Sequence, residues 1–321
     1  MRAVDGASFS VPDGSITAVV GESGCGKTTL GRALMGVMAK TARIAGGEIV
    51  FAGRDIVKLP ASERRAMRWR DIAFIPQSAM SSLDPVYRIG TQLSHILVER
   101  GGLSRAASRR RAEELFAMIG IEGGRLADFP HQFSGGMRQR VAIAMALALE
   151  PRLIIADEPV TALDVIVQRQ ILDVLRALRE RLGISVILIT HDISVVAYAC
   201  DRMAVMYAGR IVEEGPVGEV LQAPAHPYTM GLANAFPDLH GSRDALIPIH
   251  GEPPDLHHPP AGCRFRPRCP FVLPVCARDV ATTQIAPAHD VACWRHDEAL
   301  VLRHRARELA TWELATWEKR A

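Results

Sequence analysis

The stretch ITAVVGESGCGKTTLGRALMGV, residues 16–37, decides the fold. It begins as an apolar, strand-like run, turns through glycines and continues with the apolar spacing of a helix. Within it, Gly21, Gly26, Lys27 and Thr28 match the pattern G-x-x-x-x-G-K-[ST] in the required order of strand, loop and helix. This pattern predicts a phosphate-binding loop, and an ordinary glycine-rich turn is the weaker interpretation.

The residue types in this loop suit the binding of a nucleoside triphosphate. Glycines let backbone N–H groups face phosphate oxygens, and the following helix adds the positive end of its dipole. Lys27 would bring a positive charge to the terminal phosphates, and the Thr28 hydroxyl can bind Mg²⁺. The residues predicted to surround ATP are Gly21, Glu22, Ser23, Gly24, Cys25, Gly26, Lys27, Thr28 and Thr29. Cys25 is expected to act through its backbone, which makes its thiol incidental.

Length and composition allow a globular chain of about two domains. Of its 321 residues, 48% are apolar and 23% charged. The longest apolar runs fall short of the roughly 20 residues that cross a bilayer, and the N-terminus lacks a signal-peptide pattern. We expect a cytosolic chain without a membrane span. The formal charge of +3 is too small to indicate nucleic acid or an anionic membrane as a partner.

A second candidate site lies in PRLIIADEPVTALD, residues 151–164. The apolar run Leu153–Ala156 is typical of a buried parallel strand, and Asp157 and Glu158 follow it. A carboxylate at the end of such a strand can hold Mg²⁺ through water, and the next one can orient the water that attacks the γ-phosphate. We assign Asp157 to the metal and Glu158 to the water. A solvated strand end is the alternative, but the phosphate loop in the same chain makes it less favoured.

Between these two sites, FPHQFSGGMRQRVAIAMALALEP opens an amphipathic helix at Ser134-Gly135-Gly136. Ser and Gly commonly begin helices, so this signal is weak when it stands alone.

The order of six elements along the chain is more specific than any one of them. The phosphate loop is followed by Gln77 in IAFIPQ, by SGGMRQR, by LIIADEP, by Asp164 in TALD and by His191 in LITHD. Alone, such residues are usually a surface amide or a packed histidine. Together they make the chain resemble the ATP-binding subunit of an ABC transporter over almost all of residues 1–235.

This resemblance implies an α/β fold with two parts. Residues 1–235 would form a P-loop ABC nucleotide-binding domain, with a mixed sheet core and a helical subdomain at about 78–150. Residues 236–321 would form a small, irregular, cysteine-rich C-terminal module. The basic stretch Arg105–Arg111 in the helical part is expected to be a solvated helix face rather than a nucleic-acid site.

The resemblance also implies roles for individual residues. Gln77 would bind Mg²⁺ and sense the membrane partner, and His191 would contact the γ-phosphate as a catalytic residue beside Glu158. In the family, the ATP held by one subunit is also bound by the opposite subunit, and the residues that would do so here are Ser134, Gly135 and Gly136. Asp164 would bridge the dimer, so hydrolysis requires two subunits clamped face to face.

The N-terminus departs from the family pattern. Only 20 residues precede Gly21, and Phe9 is the sole aromatic residue among them. The family usually places a further strand and an adenine-stacking aromatic residue before this point. We therefore expect that the sequence starts inside a longer protein, and that without the stack, worth about 1–3 kcal/mol, adenine is bound less tightly.

Beyond residue 235, a proline-rich stretch leads into four cysteines spaced C-x5-C-x6-C-x16-C. A reducing compartment disfavours disulfides, so a metal is the favoured use of the thiols. Thiolate sites suit zinc or an iron–sulfur cluster, and the spacing alone leaves both open.

The segment HPYTMGL…PIHGEPPDL…GCRFRPRCP resembles the C-terminal region of oligopeptide and dipeptide ABC importer ATPases, which also serve some nickel importers. The resemblance implies a 4Fe-4S cluster, with zinc and surface thiols as alternatives, and its ligands would be Cys263, Cys269, Cys276 and Cys293. Cys200 is expected in the core. The tail, LATWELATWEKRA, with Trp312 and Trp317, is expected to be a partly exposed helix.

The expected function is the ATPase subunit of a peptide importer, peripheral on the cytoplasmic face of the cell membrane. Its partners would be two transmembrane permease subunits, a second ABC ATPase that is itself or a paralogue, and an extracytoplasmic solute-binding protein. A nickel or other small-solute importer is the alternative. A soluble ABC ATPase acting on nucleic acid or ribosomes is disfavoured, because the chain lacks a long coiled coil or a second nucleotide domain.

Overall fold

The computed structural model describes residues 1–77, 82–235 and 247–313. The start of the predicted helical subdomain at 78–81, the first residues of the predicted C-terminal module and the second half of the tail repeat with Trp317 lie outside these ranges. The chain divides into two compact units. Unit 1 comprises residues 1–10, 17–30 and the described residues from 190 onward, and unit 2 comprises residues 11–16 and 31–189.

Unit 1 contains a mixed sheet. The strand β1 (Ile16–Val20) pairs in parallel with β7 (Arg202–Tyr207), and β7 pairs antiparallel with β8 (Arg210–Pro216). Next come β10 (His289–Val291), antiparallel to β8, and β9 (Thr283–Ala286), antiparallel to β10. The helices of unit 1 are α7 (Ile193–Ala199), α8 (Val217–Gln222), α9 (Pro227–Asn234), α10 (Ala299–Ala306) and α11 (Leu309–Trp312).

The described residues from 247 onward contribute to the hydrophobic core of unit 1, although the sequence predicts that they belong to a small, irregular module of their own. Strand β10 continues the sheet at the edge of β8, which supplies backbone partners. The side chains of one apolar cluster come from both sides of residue 235, and they include Val20, Val205, Tyr207, Tyr228, Phe265, Phe271, Leu302 and Trp312. A separate cysteine-rich module is therefore not confirmed, because its apolar side chains complete a core that begins at β1.

Trp312 is 1% exposed, so the expectation of a partly exposed tail is wrong for this residue. Its indole Nε1 donates a hydrogen bond to the carbonyl of Ala306 at 2.8 Å. A Cβ on Gly231 would lie 2.7 Å from the Trp312 ring, so the glycine leaves the space that the indole fills. The five-residue spacing to Trp317 carried no information about this pocket.

Unit 2 is built on three parallel strands. Strand β5 (Leu153–Asp157) lies between β4 (Ile72–Ile75) and β6 (Ser185–Thr190), with Leu153 opposite Ile72 and Ser185. Strand β5 is buried along its whole length, as its apolar run predicts. A short hairpin pairs β2 (Val50–Phe51) with β3 (Arg54–Asp55).

Unit 2 also contains six α-helices within its described residues. They are α1 (Lys27–Leu34), which begins in unit 1, α2 (Ala61–Met67), α3 (Ile89–His95) with a π-helical turn at Ile96–Arg100, α4 (Arg105–Met118), α5 (Gly135–Ala146) and α6 (Val165–Leu182). Helix α6 buries Ile171, Leu175 and Leu178 on one face and ends at Gly183, whose φ of 65° suits a glycine C-cap.

Replacement of Trp312 by alanine should destabilise the protein, because it removes a fully buried side chain and leaves a cavity. We expect a loss of about 3–5 kcal/mol in the free energy of unfolding, measured by denaturant titration. Leu300→Ala, on the neighbouring helix but 74% exposed, is the matched control and should change stability by about 0.5 kcal/mol or less. Equal losses in the two variants would contradict the buried position of Trp312.

Candidate functional site

The phosphate loop lies between β1 and α1, and its backbone is packed too closely to accept side chains at two glycines. A Cβ on Gly21 would lie 2.0 Å from the carbonyl oxygen of Met206, and one on Gly26 would lie 2.2 Å from that of Ala3. Gly26 also has a φ of 108°, a conformation that non-glycine residues rarely adopt. The spacing of the motif is thus a steric requirement of this fold.

Lys27 is only 5% exposed, and its ammonium group points into the loop. Its Nζ donates hydrogen bonds to the carbonyl oxygens of Gly21 at 2.6 Å and Glu22 at 2.8 Å. Cys25 lies in the same loop, where burial raises the pKa of its thiol against the lowering effect of Lys27. The loop therefore holds a desolvated positive charge beside a neutral thiol.

Glu22 makes two further contacts that the sequence did not indicate. Its carboxylate accepts a hydrogen bond from Nη1 of Arg268 at 2.7 Å, and its backbone N–H donates to the hydroxyl of Tyr228 at 2.9 Å. These partners lie 246 and 206 residues further along the chain. Nothing near Glu22 in the sequence points to either partner, because Tyr228 lies in α9 and Arg268 in the irregular, proline-rich stretch.

In unit 2, the two predicted carboxylates follow one another at the end of β5. Asp157 is the last residue of the strand and is 2% exposed. Glu158 has a φ of 47°, an uncommon left-handed conformation for a residue with a side chain. Its carboxylate accepts hydrogen bonds from Nε2 of Gln77 at 2.9 Å and from the hydroxyl of Thr161 at 3.0 Å. The structure thus brings Gln77 and Glu158 together, and the left-handed backbone conformation of Glu158 sets the direction of its side chain.

The Ser-Gly-Gly motif forms the N-terminus of α5. Ser134 is exposed and its hydroxyl caps the helix by accepting a hydrogen bond from the N–H of Met137 at 3.3 Å. A Cβ on Gly136 would lie 2.4 Å from Cγ1 of Val167 in α6, so this glycine allows the two helices to pack. Asp164 caps α6 in the same way, with its carboxylate accepting from the N–H of Val167 at 2.9 Å.

His191 is exposed and follows the last residue of β6. The next residue, Asp192, caps α7 by accepting a hydrogen bond from the N–H of Ser194 at 2.8 Å. The backbone at His191 is therefore defined on both sides, by a strand and by a capped helix.

The four C-terminal cysteines line one cavity of about 20 Å³, together with His226, Phe271 and Trp294 among other residues. This volume holds about one water molecule. All six cysteines of the chain lie in the described ranges, and none of them forms a disulfide there. Cys200 packs against the core of unit 1.

Four thiols line this cavity, but their arrangement in the described residues is not that of a metal-ion site. Within the described ranges, no three His, Cys, Asp or Glu side chains are grouped so as to hold one metal ion. Burial raises the pKa of Cys293 to about 12 and also raises the pKa of Cys263 and Cys269. A metal bound by these three thiols would have to displace their protons against this effect of burial. Neither the 4Fe-4S cluster nor zinc gains support from this arrangement beyond the gathering of the four thiols.

None of the helices in the described part of the chain has both the length and the apolarity that a bilayer crossing requires.

Two family models match the chain. One, described as "ABC transporter", matches residues 4–161, and the other, described as "Oligopeptide/dipeptide transporter, C-terminal region", matches residues 212–276. The second match includes three of the four cysteines of the cavity.

Solved structures support the fold of the nucleotide-binding part. The dimeric post-hydrolysis structure of the ATP-binding cassette MJ0796, bound to ADP and Pi, is 29% identical, with a TM-score of 0.59 over 67% of this chain and 90% of that one. The structure of cbiO1 from Clostridium perfringens, part of the ABC transporter complex cbiONQ, is also 29% identical, with a TM-score of 0.60 over 68% of this chain and 84% of that one. These matches confirm the predicted P-loop fold with a mixed sheet.

Similar proteins match over most of the sequence. The probable peptide ABC transporter ATP-binding protein y4tR of Sinorhizobium fredii is 44% identical, over 94% of this chain and 91% of its own length. The dipeptide transport ATP-binding protein DppD of Bacillus subtilis is 44% identical, over 93% and 90%, and the oligopeptide transport ATP-binding protein OppD of Escherichia coli is 42% identical, over 92% of both. The chain belongs to the ABC transporter ATPases, in the group of ATP-binding subunits of oligopeptide and dipeptide transporters.

Proposed function

We propose that this chain hydrolyses ATP to power the import of di- and oligopeptides through a membrane transporter complex. The observation that carries the proposal is that one chain combines a phosphate loop around a buried lysine with the C-terminal region of peptide transporters. The names of the relatives, which are peptide, dipeptide and oligopeptide transport ATP-binding proteins, support peptides as cargo. Import of nickel or another small solute is the alternative within the same family.

ATP would be bound by the backbone of residues 21–29 and by Lys27. The ammonium group of Lys27 would exchange the neutral carbonyls of Gly21 and Glu22 for phosphate oxygens, which are stronger acceptors because they are charged. Most of the desolvation of this lysine has already occurred in the folded chain, since it is 5% exposed. The gain on binding phosphate is correspondingly large.

Thr28, Asp157 and Gln77 would hold Mg²⁺, which when bound neutralises charge on the phosphoryl oxygens. Glu158 would orient the water that attacks the γ-phosphate, and His191 would contact that phosphate. The hydrogen bonds from Gln77 and Thr161 support this role for Glu158, because they fix its carboxylate before any substrate arrives. Gln77 would thereby link the occupancy of the site to the membrane partner.

A second ATPase subunit, either another copy or a paralogue, would complete the site across a dimer. The exposed Ser134 and the packed Gly136 at the N-terminus of α5 support an anion-binding role for the motif. Beside Asp164, Val165 is 79% and Ile166 is 72% exposed, an apolar pair that dimer closure would bury. The dimeric state of the MJ0796 cassette supports the same arrangement.

The remaining partners would be two permease subunits and, through them, an extracytoplasmic solute-binding protein. The chain would sit as a peripheral subunit on the cytoplasmic face of the membrane. Its relatives, named as transport ATP-binding proteins, support this location. Action on nucleic acid or ribosomes has no such support.

Cys263, Cys269, Cys276 and Cys293 would hold a 4Fe-4S cluster, with zinc as the alternative. The support is that all four thiols line one cavity and that none of them forms a disulfide. When bound, such a cluster would cross-link the segments that carry the four cysteines.

Glu158→Gln should abolish ATP turnover while preserving the binding of MgATP. The amide keeps the hydrogen bonds to Gln77 and Thr161 but cannot polarise the attacking water. We expect steady-state ATPase activity of the assembled complex to fall by about 10²–10⁴-fold, with a dissociation constant for MgATP close to that of the unchanged protein. Glu180→Gln, an exposed carboxylate on α6, is the matched control, and equal activity in the two variants would contradict the role of Glu158.

Peptides and nickel can be separated as cargo by an uptake assay. Cells that depend on this subunit and its permeases should accumulate a labelled dipeptide, and Glu158→Gln should stop this uptake. Accumulation of labelled nickel but not of the dipeptide would replace the peptide proposal with the nickel alternative.

Anaerobically purified protein should contain about four irons and four sulfides per chain, measured by chemical analysis together with the visible absorption spectrum. Cys269→Ser should lower the iron content, whereas Cys200→Ser, which alters a thiol outside the cavity, should leave it unchanged. Stoichiometric zinc without iron would replace the cluster by a structural zinc site, and absence of both metals would contradict the proposal.

A further inference from the structure

Glu22 is held at three points within the phosphate loop. Its carboxylate pairs with Arg268 at 2.7 Å, its N–H donates to Tyr228 at 2.9 Å, and its carbonyl accepts from Nζ of Lys27 at 2.8 Å. Two of these contacts come from beyond residue 227, and the third leads to the lysine that would bind phosphate. Glu22 thus connects the C-terminal part of unit 1 to Lys27.

Arg268 is itself fixed, because most of its donors are used. Its Nε donates to the carbonyl of His250 at 3.0 Å, Nη2 donates to that of Ile249 at 3.3 Å, and Nη1 also reaches the hydroxyl of Tyr207 at 3.3 Å. The residue is 5% exposed. A guanidinium anchored at several points presents its charge to Glu22 with little conformational freedom left to lose.

Tyr228 is equally constrained. It is fully buried, and its ring lies 4.6 Å from that of Tyr207 and 5.4 Å from that of Phe265. Its own N–H donates to Nδ1 of His226 at 3.0 Å. The hydroxyl that accepts from Glu22 is therefore placed by a rigid aromatic cluster.

The charge of Glu22 explains why such a partner matters. A carboxylate in a loop that receives phosphates repels the ligand, and its effect is strong where water is scarce. The guanidinium of Arg268 offsets this charge at hydrogen-bond distance and draws the carboxylate toward the aromatic cluster. Because the charge of Arg268 offsets that of the Glu22 carboxylate, the positive charge of Lys27 determines the electrostatic potential of the loop.

We propose that Arg268 and Tyr228 are positioning residues for the phosphate loop: they hold Glu22, neutralise its carboxylate, and so keep the loop and Lys27 ready for a nucleoside triphosphate. This inference rests on the proposed function, because it assigns the two residues to the site that binds MgATP. It also gives the region beyond residue 227 a direct part in nucleotide binding.

The test is the affinity for MgATP, measured by equilibrium titration of the full chain with a fluorescent ATP analogue. Arg268→Gln should raise the dissociation constant by about tenfold, the loss expected for one charge-assisted hydrogen bond. Tyr228→Phe removes a single hydroxyl from a buried ring and should raise it about threefold, while leaving the fold intact. Binding by either variant with the affinity of the unchanged protein would overturn the proposal.

A charge-removing second substitution separates positioning from general stability. In Arg268→Gln/Glu22→Gln, the repulsive carboxylate is gone and two amides can pair, so we expect most of the lost affinity to return. A protein that is merely destabilised would not regain affinity when a second residue is changed. Failure of this rescue would therefore show that Arg268 does not act through Glu22, and it would overturn the proposal.

Arg202→Gln is the matched control. Arg202 is a partly buried arginine of the same unit that pairs with Glu214 at 3.2 Å and donates to the carbonyl of Ala288, outside the phosphate loop. Its MgATP affinity should equal that of the unchanged protein, and a loss as large as that of Arg268→Gln would contradict the inference. If the unchanged protein itself failed to bind MgATP, the proposed function would be contradicted. That result differs from unchanged MgATP affinity in Arg268→Gln, which would contradict only the role of Arg268.

Discussion

The phosphate loop depends on close contact between its backbone and the backbone of neighbouring segments. At Gly21 and Gly26, even a methyl group would overlap carbonyl oxygens of Met206 and Ala3. The loop is therefore shaped from outside, by β7 and by the first residues of the chain, as well as by its own sequence. The C-terminal part of unit 1 adds the contacts to Glu22. A motif of eight residues thus owes its geometry to three separate parts of the polypeptide.

Local features of the fold could be predicted from the sequence, because they depend on neighbours within a few residues. Strand β1 and helix α1 lie where the phosphate-loop pattern places them, and Ser134 caps the helix that its motif predicts. The resemblance to a family assigned Gln77 and Glu158 to one site, but the hydrogen bond between them, across 81 residues of sequence, came only from the structure. The roles assigned to these residues remain predictions.

The contacts that the sequence did not reveal join residues that are far apart in the chain. The proline-rich stretch near Arg268 has no periodicity from which burial could be read, and nothing local shows that its charge faces Glu22. The burial of Trp312 has the same origin, because it fills a space left by Gly231, far away in sequence. The cysteine spacing left the kind of metal site open, and only the fold shows that all four thiols line one cavity.

The separation between Glu22 and Arg268 has a consequence for how the protein is made. The two residues are 246 positions apart, and ribosomes add about 5–20 residues per second, so roughly 12–50 s pass between their synthesis. The residues of unit 2 are all translated by position 189, before any of this C-terminal support exists. A nascent chain therefore carries its phosphate loop for most of translation without the charged partner of Glu22.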